Sequence, residues 1–208
     1  AGLAFSPADP RLAPLVEAAS SHSMTLIAGA PVRLASGIHI GAFIISPDRT
    51  VGLYTKHRLG AFTASASCDG VVPPAEATVF QPGTLNPLVR VGGDTAAVAV
   101  CADIGQPSHP RQAAERGART YLASMFVIPS EFEQETARLE TYAVQHSMAV
   151  VFANYGGPSG GLRSAGRSAI WSGTGDLLVR LEPVGAGVAV AVETPAGWRG
   201  RTIMLGGA

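Results

Sequence analysis

Two cysteines, Cys68 and Cys101, are all that this chain of 208 residues contains, and so sparse a pair argues against a secreted disulfide framework. A reducing, cytoplasmic setting is the default expectation. No charge of one sign prevails, since Lys plus Arg and Asp plus Glu each number 15 and the formal net charge is +0. That leaves no basic stripe or acidic tail to recruit nucleic acid or an anionic membrane. A small neutral partner fits better. No apolar run reaches the roughly 18 residues that a membrane-spanning helix needs, and the first residues lack the basic region and hydrophobic stretch of a secretion signal. No His/Cys/Asp cluster has metal-ligand spacing, which argues against a metal enzyme. No G-x-G-x-x-G follows a strand, which argues against a dinucleotide site. There is no internal repeat, and the 25 glycines and 15 prolines fall between periodic segments rather than in one low-complexity tract.

What the chain does have is apolar material, 47% of its residues, enough to bury one sizeable core in a single domain. Pro10 to Ser21 carries Leu12, Leu15, Val16 and Ala19 at helical spacing, and Met24 to Gly29 reads as a short buried strand ended by glycine. Gly37 to Ser46, the turn Pro47-Asp48-Arg49 and the alternating Val51 to Lys56 predict a hairpin with Lys56 at its end. From Gly60 to Gly83 the sequence is polar and proline-rich, as in a long functional loop. Val89 to Val91 resumes a strand, and Thr95 to Val100 is the small, apolar run of a strand covered on both faces. Ser108 to Gly117 predicts a helix, Thr120 to Phe126 a strand, Glu131 to His146 a long amphipathic helix and Ala149 to Ala153 a buried strand. Ser168 to Trp171, Leu177 to Leu181 and Val188 to Val192 are three further strand candidates. Alternation in the middle with hairpins at the ends implies an α/β domain with a mixed sheet and helices packed on it.

Cys101 stands at the carboxyl end of the most buried strand and ahead of a helix, where open α/β sheets place reacting groups. Position alone fits a small buried hydrophobe equally well. The surrounding pattern carries more. Cys101-Ala102-Asp103, a proline-containing helix start and Ala114-Glu115-Arg116-Gly117-Ala118 together resemble the cysteine motif of the nitrilase-like carbon–nitrogen hydrolases. Tyr54-Thr55-Lys56-His57-Arg58-Leu59 resembles their lysine motif. Glu76-Ala77-Thr78-Val79-Phe80-Gln81-Pro82-Gly83 resembles the segment that supplies a second glutamate. Tyr142-Ala143, Ala153 to Gly157 and Ala165 to Ser168 resemble later blocks, in order and over nearly the whole chain.

The resemblance implies a four-layer α-β-β-α sandwich, a homodimer or higher homo-oligomer joined through helices, no cofactor and no metal. It also implies hydrolysis of a small-molecule amide through a thioester on Cys101. Lys56 would support the oxyanion and Glu76 would hold Lys56 or substrate, with Ala102, Ser124, Met125 and Phe126 on the substrate side. Residue chemistry agrees, because a thiol of pKa about 8.5 needs a neighbouring base or cation to become a thiolate. Alone, Lys56 reads as a solvated charge at a strand end and Glu76 as an ordinary loop carboxylate. Cys68, in a proline-rich loop, is expected to be the unactivated thiol.

The main departure is the general base, which the family takes from a Pro-Glu pair after its first strand. This chain has no such pair, and it opens on Ala1-Gly2-Leu3-Ala4-Phe5, which resembles material that follows that segment. The expectation is one domain over residues 1–208, N-terminally incomplete and short of its first strand. Ser108-His109-Pro110 departs from the family's Phe-Pro-Glu run, and His109 reads as a helix start or a pocket wall. Two rivals stay open: a relative that keeps the fold without turnover, and a Cys/His hydrolase of papain type using Cys101 with one of five histidines and Asn154.

Overall fold

A computed structural model describes residues 2–61 and 72–205; Cys68 and much of the expected Gly60–Gly83 loop lie outside them. A turn of 3₁₀ helix over Pro10–Leu12 leads into α1 (Ala13–Ser21). Strands β1 (Leu26–Leu34), β2 (Gly37–Ile45) and β3 (Val51–Thr55) form an antiparallel meander in that order. The expected end of β1 at Gly29 is corrected: the strand runs on through Pro31. Its nine-residue register with β2, Leu26 opposite Ile45 to Leu34 opposite Gly37, outweighs the two local breakers. Proline is tolerated because β1 is an edge of the meander, and the Pro31 carbonyl still accepts the Phe5 N–H.

The second sheet has six strands: β4 (Leu88–Val91), β5 (Asp94–Val100), β6 (Thr120–Met125), β7 (Ala149–Asn154), β8 (Ala169–Trp171) and β9 (Leu177–Arg180). β5, β6 and β7 are parallel, with α2 (Ser108–Glu115) and α3 (Phe132–His146) in the crossovers; the other pairings are antiparallel. β5 shows why the centre is made of small apolar residues. Ala96 and Val98 pack with Ala42, Ile44 and Tyr54 of the meander, while Ala97 and Ala99 turn to the other face, toward Leu139, Tyr142 and Ala143 of α3. Side chains alternate along a strand, so a strand between two layers must be apolar at every position. Leu12 and Ala19 meanwhile cover the outer face of the meander with Val32, Phe43 and Ile45. The layers therefore run α1, meander, six-stranded sheet, α2 with α3, which is the α-β-β-α sandwich.

The sequence reading missed one strand. A hairpin of β10 (Gly187–Thr194) and β11 (Gly197–Met204) follows the sheet. Its β11 is mostly exposed and carries Arg199 and Arg201, so it has no apolar stripe to betray it. The hairpin sits close on β9, where a Cβ at Gly200 would fall on the Leu178 carbonyl. Backbone cannot yield as a flexible side chain can. Gly200→Ala should therefore cost about 1–3 kcal/mol, read as a lower urea midpoint with an unchanged slope.

Candidate active site

Lys56 follows β3 directly, and its backbone is fixed from both sides: its N–H donates to the Ile40 carbonyl and its carbonyl accepts the Gly83 N–H, each at 2.8 Å. Gly83 is required there, because a Cβ would overlap Thr55. The ammonium is 1% exposed and lies 2.7 Å from both carboxylate oxygens of Glu76. Glu76 begins a short 3₁₀ helix, Glu76–Thr78, and exchanges two bonds with Gly60: its N–H donates to the Gly60 carbonyl at 3.0 Å, and its Oε2 accepts the Gly60 N–H at 2.7 Å. These bonds join Gly60 to Glu76 and set the carboxylate beside Lys56.

Cys101 follows β5 directly and starts the 3₁₀ helix Cys101–Gly105. Its φ of 47° lies in the left-handed region, which costs a non-glycine residue about 1–2 kcal/mol. Strain of this kind gathers at functional sites and turns the side chain out of the strand's line. Burial pushes the thiol above its ordinary pKa, and Lys56 pulls it back down. Glu76 opposes Lys56, while the backbone N–H groups of Phe126 and Ala102 favour the thiolate. The net shift is upward, so the resting sulfur is a thiol that has to lose its proton on attack.

A cavity of about 280 Å³ opens over this cluster. Cys101, Ala102, Glu76, Met125 and Phe126 line it, with Val127, Ile104 and Gly105 beyond. Ser124 does not line it. Successive strand residues face opposite sides of a sheet, so when Met125 turns to the cavity its neighbour Ser124 turns away. Four charged residues that sequence reasoning did not place in the site also line the wall: Arg58, Glu131, Glu135 and Arg138. Arg138 Nη1 donates to both Glu135 oxygens, at 3.0 and 2.9 Å, and burial raises the Glu135 pKa against the pull of Arg138. The signal was positional, for a helix that follows the strand carrying Met125 must overhang that strand's carboxyl end.

His109 is buried, but it is part of neither the cavity nor a thiol pair. It bonds Tyr54 at 3.1 Å and Tyr121 at 2.8 Å, and burial lowers its pKa. Asn154 bonds to Val127 and Gly166, which is a structural role and removes the papain-type pairing. Among the described residues no group of His, Cys, Asp and Glu could hold a metal ion, and no helix is long and apolar enough to cross a membrane. A larger depression of about 600 Å³ beside α1 is lined by Pro7, Pro10, Pro14 and Arg49 and holds no nucleophile.

A cysteine at a strand end, facing a buried lysine that follows the last strand of the other sheet and is held by a glutamate, defines the nitrilase-type α-β-β-α class. The profile of the carbon–nitrogen hydrolases matches residues 3–199, and the chain belongs to that family. The crystal structure of an amidase from Nesterenkonia sp. is 26% identical, with a TM-score of 0.69 over 82% of this chain and 61% of that one. A Glu-to-Gln, Cys-to-Ala double variant of a Nesterenkonia sp. amidase, in complex with acrylamide, is 25% identical with a TM-score of 0.70, over 83% and 62% of the two chains. A Glu-to-Leu variant, 25% identical with a TM-score of 0.67 over 83% and 62%, shows covalent addition of the acetamide moiety of fluoroacetamide at the active-site cysteine. The chain thus spans about three fifths of the length of these amidases. No curated protein matches it significantly.

Proposed function

We propose that the protein hydrolyses a small non-peptide amide through a thioester on Cys101. The observation that carries the reading is that Cys101 and Glu76 line one cavity, while both Glu76 oxygens hold the Lys56 ammonium at 2.7 Å, near enough to Cys101 to pull its thiol pKa down. In the first half-reaction the sulfur bonds to the amide carbon as the thiol proton passes to a carboxylate base, for which the cavity offers Glu131 and Glu135 besides the engaged Glu76. The C–N bond then breaks, and that proton leaves with the nitrogen as ammonia or amine. Water attacks the thioester in the second half, releasing a carboxylic acid and restoring the thiol. In each tetrahedral intermediate the oxyanion faces Lys56 and backbone N–H groups such as that of Ala102, where one lost donor commonly costs about 10²–10³ in rate.

Glu76 acts as the holder of Lys56, because both its oxygens accept from the ammonium and one also accepts from Gly60. Glu76→Gln keeps the shape but places an NH₂ against Lys56 or Gly60. Turnover should fall about 10²-fold, as for a misplaced catalytic group, with KM less affected. A loss confined to KM would make Glu76 a binding residue only. The upward shift of the Cys101 thiol gives a second expectation. The rate of iodoacetamide labelling at Cys101, mapped by mass spectrometry, should rise with pH to a midpoint above that of a free thiol, about 8.5. A midpoint below that value would contradict the burial argument.

One reading competes, a relative that keeps the fold without turnover, and the burial of the thiol favours it. Steady-state ammonia release from a panel of short aliphatic amides decides between them. Activity that disappears on Cys101 replacement supports the hydrolase. An intact, alkylatable Cys101 with no turnover on any amide supports the competitor. Assembly as a homodimer through helices belongs to the same proposal and is read by sedimentation.

A further inference from the structure

We propose that Asp103 is a positioning residue, a carboxylate clamp between the two sheets that holds Lys56 against Cys101. Asp103 is 1% exposed, and four donors meet its two oxygens. Oδ1 accepts the backbone N–H groups of His57 and Arg58 at 3.1 and 2.8 Å. Oδ2 accepts the Tyr54 hydroxyl at 2.7 Å and the Val100 N–H at 3.1 Å. Three of these donors flank Lys56 along the chain, and the fourth belongs to the residue before Cys101. The lysine comes from the meander and the cysteine from the six-stranded sheet, so nothing in the covalent chain fixes their separation. This carboxylate does, from inside the turn that carries the nucleophile.

The bonds behind the clamp have a single proton order. The Tyr54 hydroxyl hydrogen goes to Asp103, so the Tyr54 oxygen must accept from His109 Nε2–H. His109 Nδ1 is then the acceptor of the Tyr121 hydroxyl. His109 is thereby held as one neutral tautomer, which agrees with its lowered pKa. The chain Tyr121, His109, Tyr54, Asp103 runs from β6 through the start of α2 to β3, and the Tyr54 and His57 rings stack with centroids 5.4 Å apart. An aspartate is needed because all four donors point inward. In Asp103→Asn the amide NH₂ must face either the His57 and Arg58 N–H groups or the Val100 N–H, and backbone N–H groups cannot be turned round.

The test reads the coupling between Lys56 and Cys101 directly and stands whether or not the protein turns over amides. The pH midpoint of Cys101 alkylation is measured for the wild type, Asp103→Asn, Lys56→Met and the double variant. Loss of the Asp103 charge alone would ease ionisation of the thiol and lower the midpoint. Displacement of Lys56 raises it, by about one pH unit if a unit charge moves from about 4 to about 6 Å at an effective dielectric of about 20. The expected result is a rise in Asp103→Asn that disappears in the Lys56→Met background, since residues acting through one another are not additive. Tyr54→Phe removes one of the four donors without opposing the rest and should give a smaller rise. It serves if Asp103→Asn does not fold. Val150→Ala, a core truncation in β7, controls for lost stability and should leave the midpoint unmoved. A midpoint that falls or stays put in both Asp103→Asn and Tyr54→Phe, or a rise that persists without Lys56, overturns the proposal.

Discussion

Cys101→Ala is expected to abolish the proposed turnover, a loss on the order of 10⁴-fold or more in kcat, while leaving the fold in place. The size follows from the chemistry: without the sulfur no covalent intermediate forms, and what remains is the contribution of the oxyanion donors and of binding. Stability should change little. Alanine meets the same left-handed backbone at φ 47° and removes only one heavy atom from a half-buried site. Cys101→Ser tests the same point with the shape conserved. A hydroxyl in a site that already pushes a thiol upward is a still weaker acid, so the serine variant should be equally inactive. The measurement is ammonia release from short amides, with near-wild-type thermal unfolding as the control. Activity retained in either variant would remove Cys101 from the mechanism.

The parts of the fold that could be read in advance are those where one physical signal dominates. β5 was legible because a strand between two layers must be apolar at every position, and Ala96 to Val100 is. α3 was legible because Phe132, Leu139, Tyr142 and Ala143 repeat at helical spacing on one buried face. β1 was cut short at Gly29 because local breakers are visible in the sequence and long-range register is not. β11 was missed because it is mostly exposed and its apolar residues, Trp198, Ile203 and Met204, do not fall on one face.

The same division runs through the site. Lys56, Glu76 and Cys101 could be named together because their motifs resemble one family's, although 20 residues separate the first pair in the chain. The pairing distance itself needed coordinates. Asp103 stood in view inside the cysteine motif, yet a side chain whose partners are mostly backbone N–H groups leaves no mark on the residue types around it. Ser124 was placed in the pocket from its nearness in sequence to Met125 and Phe126, where strand alternation sends it to the other side. Glu135 and Arg138 lie on a helix read only for its apolar face, so their reach into the cavity was not sought.

Lys56→Met carries the second large effect, and it separates catalysis from stability. Methionine fills nearly the same volume in a site where the lysine is 1% exposed, so packing is conserved while the charge is lost. Turnover should fall about 10²–10³-fold through the missing oxyanion donor, and the alkylation midpoint of Cys101 should rise, because Lys56 is the strongest of the groups that lower the thiol pKa. Glu76 is left without its cation. Breaking a fully buried pair commonly costs about 3–5 kcal/mol. The Glu76 side chain is 27% exposed and can draw in water, so about 1–3 kcal/mol is the better expectation. The double variant Lys56→Met with Glu76→Gln tells the two effects apart. Removing the stranded carboxylate should restore most of the lost stability, since an amide without a charged partner is far less costly to bury than an anion. It should restore none of the turnover, because the oxyanion donor is still absent. If the double variant instead regains both stability and activity, the loss in Lys56→Met was a consequence of the stranded carboxylate, and Lys56 has no role at the reacting carbonyl.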